Sequence, residues 1–161
     1  MKKDQSKRAA AAAFVGTTIE FYDFYVYATA AALVLGLVFF PETDPVTGTL
    51  AAFATFAVGF IARPIAAVIF GHLGDKLGRK KMLLFTMLLM GLATTGIGLI
   101  PSYDHIGIWA PVLLIGLRFL QGLSVGGEWG GAVLMASEHA PAHKKTFFAS
   151  FAQMGSPAGL I

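Results

Sequence analysis

The chain has 161 residues, 56% of them hydrophobic and only 13% charged, with a mean hydropathy of +0.70. A water-soluble domain of this length needs far more charge to cover its surface, so the composition excludes an ordinary soluble fold and points to lipid as solvent. The chain has no cysteine, which excludes a disulfide scaffold and a thiolate metal site.

The chain opens on Met1-Lys-Lys-Asp-Gln-Ser-Lys-Arg8, basic like the head of a secretory signal. The apolar run behind it continues to Phe40, too long for a cleaved core, and Ala9 to Ala13 precede the run where a cleavage site follows one. A retained first helix over about residues 14–40 is expected, carrying Glu20 and Asp23. The polar turn Pro41-Glu-Thr-Asp-Pro-Val-Thr-Gly48 separates it from a second helix over about 50–71, whose single charge is Arg63. A basic stretch, His72 to Lys81, leads to a third helix over 82–100 without any charge. Its length fits the ~20 residues that cross ~30 Å of hydrocarbon. After Pro101-Ser-Tyr-Asp-His-Ile-Gly107, Trp109 is a natural interfacial anchor for a fourth helix over 109–136, which holds Arg118 and Glu128. A polar loop, Ser137 to Thr146, precedes a fifth segment over 147–161. That segment is shorter than a full span, so the expectation is that the chain stops inside its fifth helix and is part of a larger assembly. The predicted fold class is all-α integral membrane, with four full transmembrane helices and an incomplete fifth.

Charge placement gives these helices a direction. Ten of the twelve Lys and Arg residues fall at Lys2, Lys3, Lys7 and Arg8, at Lys76, Arg79, Lys80 and Lys81, and at Lys144 and Lys145. The alternate loops hold Glu42, Asp44 and Asp104 but no Lys or Arg. This is the positive-inside pattern and predicts a cytoplasmic N-terminus. It accounts for the formal net charge of +3 without nucleic acid as a partner.

In Gly71-His-Leu-Gly-Asp-Lys-Leu-Gly-Arg-Lys-Lys81, three glycines are expected to let the backbone reverse between two packed helices. Asp75 is expected at the start of the third helix, accepting backbone N–H bonds at the positive end of its dipole. Lys76, Arg79, Lys80 and Lys81 suit anionic lipid headgroups. No Gly-Lys-Ser/Thr closes the stretch and no strand precedes it, so it is not a phosphate-binding loop.

Five ionisable residues lie inside predicted spans: Glu20, Asp23, Arg63, Arg118 and Glu128. Such residues are costly in a bilayer and mark function by default, although pairing that merely fixes helix register is a serious alternative. Glu20, Asp23 and Tyr27 share a helix face, as do Arg118, Gln121, Gly122, Val125 and Glu128. Glu20, Asp23 and Arg63 are expected at similar depth, where they neutralise one another. Gly122, Gly126 and Gly130, four apart, read as a close helix contact.

The order Gly71, Asp75, Lys76, Gly78, Arg79, Lys80 and Lys81 resembles the cytoplasmic-loop motif of the major facilitator superfamily, with Gly74 where alanine is usual. That motif lies between helices two and three in the superfamily, as it does here. Arg118-x-x-Gln121-Gly122 is similar to the superfamily's helix-four motif. Gly126-Gly-Glu-Trp-Gly-Gly-Ala132, Gly16-Thr-Thr-Ile-Glu-Phe-Tyr-Asp-Phe-Tyr-Val-Tyr27 and Arg63-Pro64 resemble the metabolite:proton symporter branch. Gly155-Ser-Pro-Ala-Gly159 only partly resembles the superfamily's antiporter motif, which favours symport.

The resemblance implies a 12-helix bundle of which this chain is the N-terminal portion. It implies proton-coupled transport of a small organic acid or osmolyte across a bacterial inner membrane. Glu20, Asp23 and Glu128 become candidates for the proton. Arg63, Arg118, Gln121 and Tyr27 are candidates for the solute and coupling pathway, and Gly71, Asp75, Lys76, Gly78, Arg79 and Lys80 for the conformational switch. The implied partners are the bilayer, a small solute, a proton and helices outside this chain. The alternative is a non-transporting membrane remnant, or a membrane-embedded protein that docks on other helices.

His139 and His143 with Glu138 mimic a metal site, but Pro141 between them makes a solvated loop the better account. With no nucleophile–base pair, nucleotide fingerprint or metal cluster in the sequence, neither an enzyme nor a cofactor is expected.

Overall fold

A computed structural model describes the backbone of residues 2–138 and 140–161, and their side chains apart from those of 2–5, 79, 128–132, 134–136, 138 and 142. The described residues are almost wholly helical, as hydrocarbon requires, because a helix satisfies its backbone polar groups within one segment. Helix α1 (Lys2–Ala30) continues through a π-helical turn (Ala31–Leu35) into α2 (Gly36–Phe39). Then come α3 (Pro45–Leu77), α4 (Arg79–Leu99), the short α5 (Tyr103–Ile106) and α6 (Trp109–Glu138). A 3₁₀ turn (Ala142–Lys144) leads into α7 (Lys145–Gly159). Among the described residues, four stretches are long and apolar enough to cross a membrane: Ser6–Phe39, Pro45–Leu77, Lys80–Leu99 and Trp109–Gly127.

Helix α3 starts where local chemistry tells it to. Asp44 Oδ1 accepts from the Val46 and Thr47 amides at 3.2 and 3.1 Å, and Pro45 occupies the first helical position. Hydrogen bonds from Thr47, through its hydroxyl and then its amide, hold the Asp44 carboxyl below the usual carboxylate range. The cap is therefore complete above the ordinary Asp value and lost as pH falls through the lowered one.

The far end of α3 differs from expectation. The stretch from Gly71 to Leu77 is helical, not a loop, and Asp75 lies in the last turn of α3 rather than at the start of the next helix. Gly78 alone makes the reversal, with φ of 95°, a backbone conformation that L side chains rarely adopt. Because the break comes at Gly78, Asp75 sits at the negative end of a helix dipole, where Lys76 is the complementary charge.

Sequence neighbours are not the main packing partners. Helix α6 lies between α3 and α4, while α1 packs chiefly on α7 and more lightly on α6. Helices α1 and α7 meet over the buried Ala13 and Ala152. A second cluster gathers Tyr27, Ala31, Leu35, Ala52 and Leu114 from α1, its π turn, α3 and α6. Large apolar side chains such as Leu33, Val68, Leu88 and Leu92 point outward, as helices in lipid require.

The α3–α6 contact is made by small residues. A Cβ on Gly122 would stand 2.7 Å from Gly59 Cα, and one on Gly126 would stand 2.9 Å from Arg63 Cα. Backbones this close gain dispersion and leave no room for a methyl group. Gly116, on the same helix, has nothing within 4 Å of such a Cβ. Gly122→Ala should therefore destabilise the purified protein by about 1–3 kcal/mol through overpacking. Gly116→Ala should be neutral or slightly stabilising through helix propensity. Thermal unfolding of both variants in detergent, followed by circular dichroism, decides the matter, and equal melting points would sink the close-contact account.

Candidate functional site

The cluster builds outward from Asp23 on α1. Thr94 of α4 donates through Oγ1 to Asp23 Oδ1 at 3.0 Å. Gln121 of α6 donates through Nε2 to Asp23 Oδ2 at 2.6 Å and to Thr94 Oγ1 at 2.8 Å. Arg118, one turn before Gln121, places Nη1 3.6 Å from Asp23 Oδ2 and donates to Gln121 Oε1. Three helices thus meet on one carboxylate, whose lone pairs are met by an amide, a hydroxyl and a cation. The side chains of Arg118 and Asp23 are only 7% and 15% exposed.

Aromatic rings cover the cation. The Arg118 guanidinium carbon lies 3.6 Å from the Tyr27 ring centroid and 4.7 Å from that of Phe56, and the two rings stack with an interplanar angle of 9°. Tyr27 is one turn beyond Asp23, so α1 supplies both the anion and a π face. The Tyr27 hydroxyl shares a hydrogen bond with Thr55, which in turn donates to the Ala52 carbonyl at 2.6 Å.

Glu20 and Arg63 behave differently. Glu20 is buried, and its Oε2 has no hydrogen-bond partner among the described residues. Arg63 is half-buried, with its guanidinium carbon 4.6 Å from the Phe60 ring centroid. Both border a narrow cleft, about 20 Å³ and so roomy enough for one water, that Asp23, Arg118 and Gln121 also line. Both also border a larger cleft of about 410 Å³, reached by Gln153 of α7.

The structure therefore gathers Glu20, Asp23, Tyr27, Arg63, Arg118 and Gln121 around one polar interior. The pairing within it differs from the expected mutual neutralisation of Glu20, Asp23 and Arg63. Asp23 takes Arg118 from α6, because α6 rather than α3 presents its polar face to that side of α1. The side chains of Glu128 and Arg79 lie outside the described residues, as does His139. Gly71, Asp75, Lys76, Gly78 and Lys80 stand apart from the cluster. Asp75 is twelve residues beyond Arg63, about 18 Å along the same helix. Sequence reasoning missed Thr94, Thr55, Phe56 and Gln153. Their only signal is a polar or aromatic side chain in a span, and the partner depends on packing.

The sugar (and other) transporter family matches residues 9–161. The chain is 54% identical to the shikimate transporter of Escherichia coli (strain K12) over 157 residues, covering 98% of this chain and 36% of that protein. It is 53% identical to the inner membrane metabolite transport protein YhjE of the same organism, covering 93% of this chain and 34% of that one. To that organism's proline/betaine transporter it is 48% identical, covering 96% and 31%. The chain spans about a third of the length of the curated relatives it matches. No solved structure matches it. The chain belongs to the sugar (and other) transporter family, within the major facilitator superfamily, and its fold is that of the N-terminal part of such a transporter. Its family and its membrane-length helices make it a multi-pass membrane protein.

Removing one partner of a buried ion pair leaves an uncompensated charge, which typically costs 3–5 kcal/mol, whereas removing both costs far less. Arg118→Ala should therefore destabilise strongly, and adding Asp23→Asn should restore a large part of the loss. A double-mutant cycle on thermal stability in detergent measures this, and additivity within about 0.5 kcal/mol would show that the two charges do not depend on each other.

Proposed function

We propose that the transporter containing this chain carries a small metabolite, an organic acid or a zwitterionic osmolyte, together with a proton. Transport runs by alternating access across the bacterial inner membrane, about a midplane site shared with helices outside this chain. The observation that carries the proposal is the Asp23 carboxylate held between α1, α4 and α6, hydrogen-bonded to Thr94 and Gln121 with Arg118 at 3.6 Å. A proton taken up by a carboxylate of this interior shifts the balance of charge that holds Asp23 to Arg118. The proton thus changes contacts between helices, and any two-state transporter needs such a differential contact.

The relatives' names support a small polar solute, since they include shikimate and proline/betaine transporters. In this reading Asp23, Glu20 and Glu128 are the carboxylates available to the proton. Arg63, Arg118, Gln121 and Tyr27 form the wall that the solute and coupling charges meet. The exposed Lys76, Lys80 and Lys81, with Lys144 and Lys145, mark the cytoplasmic ends of their helices and support a cytoplasmic N-terminus. Gly71, Asp75, Lys76, Gly78, Arg79 and Lys80 act there as the switch segment between α3 and α4.

The test is uptake by the full-length transporter in vesicles with an imposed pH gradient, alkaline inside, against a panel of organic acids and osmolytes. Accumulation that collapses with the gradient is expected. Asp23→Asn, which weakens the hold of α1 on α4 and α6, should cut gradient-driven accumulation at least tenfold. A full-length transporter that accumulates nothing from a broad panel counts decisively against the proposal.

A further inference from the structure

Two opposite charges share the polar interior without pairing. Among the described residues, Asp23 and Arg118 form an ion pair, whereas Glu20 and Arg63 border the same two clefts and form none. Glu20 is 6% exposed, and its Oε2 is buried without a hydrogen-bond partner. The Arg63 guanidinium rests on the face of Phe60 at 4.6 Å. A ring attracts a guanidinium without accepting its N–H hydrogen bonds as an oxygen does, so the group can still offer two parallel bonds to a carboxylate. A buried carboxylate and a half-buried guanidinium, on one cleft of about 410 Å³, make a place for something that answers both.

We infer that Arg63 receives the carboxylate of the solute while Glu20 takes the accompanying proton, so that anion and proton bind as a neutral pair. Charge balance explains why they come together. In the empty site, Arg63 is the opposite charge nearest to an ionised Glu20. A solute carboxylate on Arg63 cancels that charge and leaves Glu20 as net negative charge in a region of low dielectric. One proton on Glu20 removes the excess. The solute leaves, Arg63 is again open to Glu20, and the proton can follow it out. The other charges facing Glu20 are Asp23 on its own helix and Arg118 from α6, and these two already neutralise one another. Helix α7 offers Gln153, an amide that does not titrate and can bond either the anion or Glu20. The solute class is thereby a small carboxylate, free or within a zwitterion.

The inference rests on the proton-coupled reading above, and one experiment separates their failures. The full-length transporter is reconstituted in liposomes, with radiolabelled shikimate, proline and glycine betaine as probes. Apparent affinity is measured by exchange at equal pH on both sides, from pH 6 to 8.5, and accumulation is measured under a gradient. For the wild type, affinity should weaken about tenfold per pH unit on the alkaline side, as one linked proton requires. In E20Q the exchange affinity should no longer vary with pH and accumulation should be lost. R63Q should weaken binding at least tenfold, with partial recovery in R63K. A probe amide lacking the carboxylate should compete without pH dependence in the wild type, a readout that needs no variant. Wild-type-like pH dependence in E20Q, or pH dependence with the amide, overturns the inference and leaves Asp23 as the coupling group. Wild-type accumulation that ignores the proton gradient overturns the proton-coupled reading as well.

Discussion

Hydrocarbon tolerates a charge only when the protein answers it from within, and that constraint organises this bundle. The Asp23 carboxylate brings Thr94 from α4 and Gln121 and Arg118 from α6 to one level of α1. Each of the three helices presents its polar group at one register, so sliding any of them by a turn would leave a buried ion or amide unanswered. Buried ion pairs of this kind add little net stability compared with an apolar replacement, yet breaking one is expensive. Their physical effect is therefore to restrict the permitted arrangements of helices to a few, and a transporter switches between discrete arrangements.

The glycines and the charges belong to one surface. Gly122 follows Gln121 directly, and the close approach of Gly122 to Gly59 and of Gly126 to Arg63 draws α3 against α6. That contact places two guanidiniums, Arg63 and Arg118, on one cleft. Like charges so placed repel, and the aromatic residues of α3 lessen the cost. Arg118 lies over Phe56 and Tyr27, while Arg63 lies over Phe60, one turn further along. Phe56 and Phe60 meet edge to face, with centroids 5.4 Å apart. Each cation thus has an aromatic ring of its own.

Much of this was legible in the sequence, and the limits have a physical cause. The spans follow from apolar runs of bilayer length, and the polar interior from charges that lipid cannot hold. The neighbours were not legible. Hydrophobic period assigns a residue to a face of its helix, and only packing says which helix that face meets. Glu20 and Asp23 share a stripe, yet three residues fall about 60° short of a full turn. That offset aims Asp23 toward α4 and α6, while Glu20 reaches the cleft bordered by α3 and α7. Thr94 lies in a span with no charge and gave no warning that it would complete a carboxylate's shell. Asp75 was misplaced because three glycines stand in its stretch, and only the backbone shows that Gly78 is the one that turns.

The same helix joins the site to the proposed switch segment, and its interior proline lies at the site. From its Asp44 cap to Gly78, α3 is one continuous helix. Pro64, inside it, has no N–H to give the Phe60 carbonyl, and its ring crowds that carbonyl. The missing bond is the one between the residue beside Arg63 and the residue whose ring carries Arg63. Bends in helices concentrate where a hydrogen bond of the ladder is absent. In the proposed switch, a change at the Asp75–Gly78 end acts along about 18 Å of continuous helix on the turn that lacks this bond. A charge change at Arg63 is felt at that same turn. Both ends then act on one turn of one helix, which supplies the proposed coupling without a chain of intermediate residues.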